Sequence, residues 1–227
     1  MSDTGNKNND DRKSQKSERI LDAAERLFAQ HGYDGVTMRQ IANEAKVDVA
    51  LASYHFGKKL DVFYAVFHRR AESLSNSRRD VLQATQENSN GKPQTLEQII
   101  HAFVLPLKMA QESGDPGWKN YLALLAYVMT SPVWSKELMP EIFDKRVGEF
   151  IEALRLALPG ATDEDLHWCY HYVSGALALT FAQTGRIDRL SNSKCLSEDF
   201  DAAYDRLVPF VAAGFREICK TNPSTSQ

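Results

Sequence analysis

The chain has only three cysteines in 227 residues. Cys169, Cys195 and Cys219 are far apart, odd in number and form no CxxC pair, so a disulfide framework is excluded. Long apolar runs are also missing. Stretches such as YLALLAYVM at 121–129 fall well short of the roughly 20 residues that a spanning helix needs. The N-terminal MSDTGNKNNDDRKSQKSE has no apolar centre of the kind a secretory signal requires. The alternation of apolar and polar residues that marks a half-buried strand is nowhere sustained. No Gly-rich phosphate loop, nucleophile motif or paired acid and base is present. These absences predict an all-α, cytoplasmic protein with no membrane partner, and they argue against an enzyme.

A net charge of −3 gives no sign of a nucleic-acid partner, but it hides an asymmetry. Residues 1–80 carry 14 Lys and Arg against 12 Asp and Glu, and the remainder carries 13 against 18. A mildly basic front and an acidic rear suggest two parts with different partners. Residues 1–16 are almost wholly polar and read as a disordered tail. Their Lys7, Arg12, Lys13 and Lys16, with Arg19 just beyond, can form a basic arm on DNA or merely keep the tail solvated.

From Ser17 the pattern becomes helical. Ile20, Leu21, Ala24, Leu27 and Phe28 form one buried stripe, and Gly32 closes it. Thr37 and Gln40 make a capping box that opens a second, short helix with Met38, Ile41, Ala42 and Ala45 on one face. A tight turn at Lys46 and Val47 leads to Asp48, an N-cap for a third helix that ends at Phe56, with Gly57 as its left-handed stop. A longer helix follows, with Val62, Phe63, Val66, Phe67 and Leu74 inward. Two short helices joined by a tight turn make a helix-turn-helix candidate, whose second helix enters the major groove. That groove is roughly 12 Å wide and suits a helix with modest side chains. On the helix at 49–56, Ala52 and Phe56 share the inner face, while Val49, Ala50, Ser53 and Tyr54 lie opposite. Small residues there permit close approach to base edges, and Val49 can meet a thymine methyl. Tyr54, His55, Lys58 and Lys59 can reach phosphates, contacts that position without specifying sequence.

Residues 17–67 resemble the DNA-binding domain of the TetR family of one-component transcriptional regulators. The resemblance is carried by Leu27-Phe28, His31-Gly32-Tyr33, Thr37, Ile41-Ala42, Ala45, Val47, Tyr54-His55-Phe56 and Lys59. It covers about a quarter of the chain. It implies DNA contacts at Thr37, Arg39, Val49, Ala50, Ser53, Tyr54, His55 and Lys59. It also implies a C-terminal domain that binds a small effector and forms a homodimer. Two residues depart from the family pattern. Lys46 stands where the turn wants glycine; the left-handed backbone costs a lysine roughly 1 kcal/mol, although the side chain can add a phosphate contact. Asp48 puts an acid at the groove edge, either as a helix cap or as a reader of cytosine.

The implied division is a tail at 1–16, a helix-turn-helix domain at 17–64, a ligand-binding and dimerisation domain at 65–222, and a tail at 223–227. The rear reads as helices broken near 113–117, 131–132, 159–162 and 185–196, with a kink or interruption expected at each of Pro106, Pro140 and Pro209. A sensor cavity is mostly apolar with a few polar anchors. The candidates for its lining are His101, Phe103, Leu107, Trp118, Tyr121, Leu125, Met129, Trp134, Phe143, Trp168, His171 and Tyr172. LVPFVAAGFRE at 207–217 is similar to the fatty-acid-responsive branch of the family, which implies an acyl effector; an aromatic compound is the alternative. In HWCYH, His167 and His171 lie one helical turn apart and can face one point. This pair carries the rival reading of a metal-dependent enzyme, but no third ligand accompanies it, so no metal or cofactor is expected. The small residues of VSGALAL at 173–179, with the last helix, form the candidate dimer face. The function expected is a ligand-responsive repressor released from a palindromic operator, or an activator of the same family.

Overall fold

The computed structural model describes residues 4–88 and 92–220, with side chains from Ser14 onward. All regular structure among them is helical. The N-terminal unit comprises α1 (Thr4–His31), α2 (Met38–Glu44) and α3 (Val49–Phe56). The long α4 (Lys59–Glu87) leads into α5 (Leu96–Glu112), α6 (Gly117–Thr130) and α7 (Trp134–Met139). A π-turn at Pro140–Asp144 joins α7 to α8 (Lys145–Ala157); α9 (Asp163–Ala182), α10 (Arg186–Leu190) and α11 (Phe200–Ile218) complete the chain.

The first helix begins earlier than the sequence suggests, at Thr4 and not near Ser17. Once a helix exists, each added residue gains a hydrogen bond without a new nucleus. The segment is polar, with Asn and Lys its commonest residues, and it has no proline to break the backbone hydrogen bonding that extends the helix. The side chains of Lys7, Arg12 and Lys13, and the whole of 223–227, lie outside the described residues. The boundary expected at residue 64 falls inside α4, which runs without a break from one domain to the other.

Two of the three prolines do not interrupt their helices. α5 and α11 continue through Pro106 and Pro209. Pro106 is buried in the core, where packing offsets the lost backbone bond, whereas Pro209 is exposed and water can serve the freed carbonyl. Only Pro140 marks an interruption, as the first residue of the π-turn.

The apolar stripes meet as the periodicity predicts. Ile20, Leu21, Ala24 and Phe28 of α1 and Val62, Phe63, Val66, Phe67 and Leu74 of α4 are all buried. Amid them sits a carboxylate. Glu25 is 1% exposed and accepts hydrogen bonds from Arg69 at 2.7 Å and Arg70 at 2.9 Å. Arg70 reaches on to Asp115 at 2.6 Å, just before α6, and Arg69 to Asp22 at 2.8 Å. The cluster therefore ties α1 to α4 and to the start of α6. Gly117 makes room for it: a Cβ there would lie 1.9 Å from Arg70 Nη2 and 2.8 Å from Glu25 Oε1.

Removing one member of a buried charge cluster leaves the others uncompensated. Glu25→Gln is therefore expected to lower stability by about 3 kcal/mol in urea unfolding, and an unchanged midpoint would contradict this role. The Arg70 guanidinium also holds the Asp115 carboxyl below the usual carboxylate range. Its contribution is thus complete above the ordinary Asp value, near about 4, and is lost as pH falls below it.

Candidate nucleic-acid interface and interior cavity

The second helix opens with a complete capping box. Thr37 N–H donates to Gln40 Oε1 at 2.8 Å, and Gln40 N–H donates to Thr37 Oγ1 at 3.2 Å. It closes with a Schellman pair, Lys46 N–H to Asn43 O at 3.1 Å and Val47 N–H to Ala42 O at 2.9 Å. That closure requires the left-handed conformation at Lys46, which has φ 55°. Arg19 braces the turn from α1 by donating to the carbonyls of Ala45 and Lys46. The backbone thus imposes the strain foreseen at Lys46, and the side chain is left exposed. Arg19 belongs to this brace, not to a free arm.

The third helix is anchored by Ala52, which is fully buried, with Phe56 packed partly against the core. On its other side Val49, Ala50, Ser53 and Tyr54 are exposed, Tyr54 by 74%. His55 is half-buried, with its ring 5.8 Å from that of Tyr54. Thr37 and Arg39 are exposed at the start of α2, and Arg39 has no carboxylate partner among the described residues. Thr37, Arg39, Lys46, Val49, Ala50, Ser53 and Tyr54 therefore lie on the solvent-facing side of the two short helices and their turn.

Three expectations need correction. Asp48 occupies the N-cap position, where its carbonyl accepts from Leu51 and Ala52, but its carboxylate makes no capping bond and is exposed. Gly57 has positive φ as expected, yet its ψ of −121° lies outside the left-handed helical basin. A Cβ at Gly57 would sit 2.7 Å from Asp61 Oδ2, which accepts from Lys58 N–H. Lys59, expected on a phosphate, turns inward. Its Nζ donates to Tyr33 O and Val36 O, both at 3.0 Å, and stands 4.0 Å from the centre of the Tyr33 ring. Two carbonyls and an aromatic face satisfy the ammonium locally, so it closes the loop between α1 and α2.

The rear bundle encloses a small apolar cavity lined by Phe103, Leu125, Met129, Phe143, Leu177 and Phe181, with Arg78 at one wall. Of the residues read from the sequence, Phe103, Leu125, Met129 and Phe143 line it. Tyr121 is wholly buried and Leu107 is core, while His101 is exposed. Trp118 lies 5.1 Å from the Arg70 guanidinium, and Trp134 packs on Tyr33 at 4.8 Å and Phe63 at 4.7 Å. Both tryptophans therefore belong to the junction with α1 and not to the cavity. Trp168, His171 and Tyr172 point outward from α9, with Trp168 50% and Tyr172 57% exposed. Helical spacing shows which residues share a face, but not which face is inward.

Both halves of the chain match known families. Residues 20–66 match the family described as "Bacterial regulatory proteins, tetR family", and residues 101–214 match "Tetracyclin repressor-like, C-terminal domain". The chain belongs to the TetR family of transcriptional regulators. Among similar proteins is the HTH-type transcriptional regulator HbdR of Aromatoleum, 24% identical over 81% of this chain and 77% of its own. The HTH-type transcriptional activator FasR of Mycolicibacterium smegmatis is 32% identical, over only 37% of this chain and 36% of its own. The solved structure of HlyIIR, a hemolysin II transcriptional regulator, superposes with a TM-score of 0.58 at 22% identity, covering 88% of this chain and 97% of that one. These relatives are transcription regulators and not enzymes, and TetR-family members bind operator DNA and effectors and form dimers.

The side chains of HWCYH diverge on α9, with Cys169 buried and His167 and His171 exposed. His167 Nδ1 is 2.7 Å from Asp163 O in its own helix. Burial pushes the Cys169 thiol up to about 12, so it stays protonated. Among the described residues, no group of three or more His, Cys, Asp or Glu gathers as a metal would need, and no helix is long and apolar enough to cross a membrane. Sequence reasoning missed Arg78, Met139, Tyr170, Ser174, Leu177 and Phe181 at the cavity, because a polar residue on an amphipathic helix reads as solvated and an apolar one reads as ordinary core.

Replacing Lys59 with Met should cost about 2 kcal/mol, the scale of hydrogen bonds made by a charged donor, and leave the salt dependence of DNA binding unchanged. Urea unfolding beside binding at several salt concentrations checks this. A salt slope reduced by about one unit with no loss of stability would restore the phosphate contact.

Proposed function

We propose that this TetR-family regulator binds a palindromic operator as a homodimer and is released by an effector held in the rear cavity. The observation that carries the reading is the exposed outer face of α3, supported on a buried Ala52 and presented beside the strained turn at Lys46. Val49, Ala50 and Ser53 are the base-reading set; Thr37, Arg39, Lys46, Tyr54 and His55 grip the backbone. Two such helices in successive major grooves stand about 34–36 Å apart.

The second copy docks through α9 and α11. On these two helices Phe210 is 73% exposed, Leu179 67% and Tyr172 57%, and Trp168 and Ile218 are exposed as well. A Cβ at Gly175 or Gly214 would meet no atom within 4 Å, so both glycines face open space and keep the surface of the two helices low. An unpaired apolar face of this extent on a TetR-family chain marks a protein–protein interface, and a two-fold partner is what a palindromic site requires.

Coupling runs along α4. Its first turn holds the loop before α2 through Lys59, its middle is locked to α1 by Arg69 and Arg70, and Arg78 lines the cavity. Lys59 and Arg78 are roughly 28 Å apart along one helix at 1.5 Å per residue. An effector that displaces the α4 end at the cavity therefore changes the spacing of the two heads. Its power to do so equals the difference between its affinities for the two states.

Mobility shifts with fragments of the protein's own promoter should give retarded complexes that resist competitor DNA, and binding no tighter than to random DNA would end the proposal. Phe210→Asp should yield monomers in sedimentation and weaken operator binding at least tenfold. Ser53→Ala should relax preference at one base pair; selection from a randomised site measures it, and an unchanged preference would remove Ser53 from the reading set.

A further inference from the structure

Six enclosed side-chain atoms among the described residues have no hydrogen-bond partner: Arg69 Nε, Arg78 Nε, Gln94 Nε2, Gln111 Oε1 and the Tyr121 and Tyr204 hydroxyls. Buried polar atoms in folded proteins are nearly always bonded, and of these six only Arg78 Nε belongs to a charged group that has no ion pair and lines the cavity. Part of Arg78 reaches the surface, but its Nε is shut in. Its guanidinium lies 4.2 Å from the Phe103 ring centre and 5.7 Å from that of Phe143. It forms no ion pair among the described residues, whereas neighbouring Arg69, Arg70 and Arg79 all do. Burial pushes its pKa down to about 10, which leaves it charged at neutral pH, and the nearest ionisable groups that its charge feels are Tyr170, Tyr121 and Tyr204. Burial also raises the Tyr121 and Tyr204 phenols, so both remain neutral donors. Cation–aromatic contact offsets part of the desolvation of Arg78, but no anion answers its charge.

We infer that Arg78 is the anchor for an organic carboxylate effector, pairing its guanidinium with the acid group while the effector's apolar body fills the space between Phe103, Leu125, Met129 and Phe181. The inference rests on the sensor reading above and adds the chemical class of what the sensor takes. A guanidinium offers two parallel donors matched to the two oxygens of a carboxylate, a geometry that a neutral head group cannot reproduce. The surrounding wall is apolar, so it selects an alkyl or aryl body and rejects small hydrophilic anions.

Two further features fit this assignment. Arg78 and Phe103 also line a second, outer crevice with Arg79, Arg146, Glu149 and Phe150, where Arg146 is paired with Glu149 at 2.6 Å and Arg79 with Asp80. Arg78 thus stands between this crevice and the apolar interior, the one arginine of the crevice with no carboxylate partner among the described residues. The free volume of the inner cavity is only about 10 Å³, the space of one water. An organic acid therefore enters only if the wall moves. Met129 and Met139, both at the cavity, are unbranched side chains able to repack. This closed form is then the effector-free state, and occupancy pushes on the same α4 that carries the DNA-binding head.

The test is calorimetric titration of the full-length protein with hexanoate, decanoate and 3-phenylpropanoate, each beside its matched alcohol. At least one acid should bind tenfold or more tightly than its alcohol. Arg78→Met should erase that gap and, by replacing an unpaired buried charge with an apolar chain, raise the unfolding midpoint of the effector-free protein. Arg78→Lys, which keeps a charge but not the fork, should retain preference for the acid at reduced affinity, and it serves if the methionine variant does not fold. The assignment is overturned if no acid outbinds its alcohol or if the gap survives Arg78→Met. Operator release measured on the same samples separates the two levels. Acids and alcohols that release DNA equally would leave the sensor standing without this anchor. Acids held through Arg78 without effect on DNA would leave the anchor and remove the sensor role.

Discussion

A single carboxylate, Glu25, lies buried between two arginines of the next long helix, and the relation of the two domains depends on it. Arg69 and Arg70 converge on it from α4, and Arg70 continues to Asp115 at the entry to α6. Charges removed from water must find each other, so this cluster admits one mutual arrangement of α1, α4 and α6. The apolar stripes around it can slide by fractions of an ångström; the ion cluster cannot. Gly117, which would collide with Arg70 if it carried a side chain, shows how closely the chain is fitted around that arrangement.

Given that lock, α4 is a lever and not a linker. Lys59 at one end is bound to the carbonyls of Tyr33 and Val36, and the other end forms a wall of the cavity. The Tyr127 hydroxyl, 3.3 Å from the Tyr33 amide, and Trp134, packed against Tyr33 and Phe63, give the sensor domain a second grip on the head. A TetR-family regulator needs such stiffness, because a change at the cavity must reach the operator-reading helix without dissipating in side-chain motion. A cluster of buried charges and a rigid helix transmit displacement where a purely apolar interface would absorb it.

The cavity wall carries a different kind of constraint. Its arginine has no carboxylate partner among the described residues, in contrast with the Glu25 cluster, where every charge has a partner of opposite sign. The two groups of arginines lie on one helix within ten residues, and by sequence they look alike. One set is structural because carboxylates from α1 and the turn before α6 reach it. Arg78 is left open because aromatic rings, and not acids, stand opposite.

The helix-turn-helix was legible in the sequence because its signals are local. The capping box at Thr37 and Gln40, the positive φ at Lys46 and the small residues of α3 each depend on a few neighbouring residues. The same locality revealed the inward face of α4. Local reading failed where a side chain's fate depends on distant groups. Lys59 answers carbonyls more than twenty residues away, Trp118 and Trp134 serve the domain junction, and Trp168 and Tyr172 face outward from α9. Helical periodicity and local turn chemistry therefore determined most of the elements, and the motif residues of 17–67 carried the resemblance to the family. Which face turns inward, which arginine is paired and which aromatic lines the cavity were decided only by tertiary packing, because burial and charge pairing are properties of neighbours in space and not along the chain.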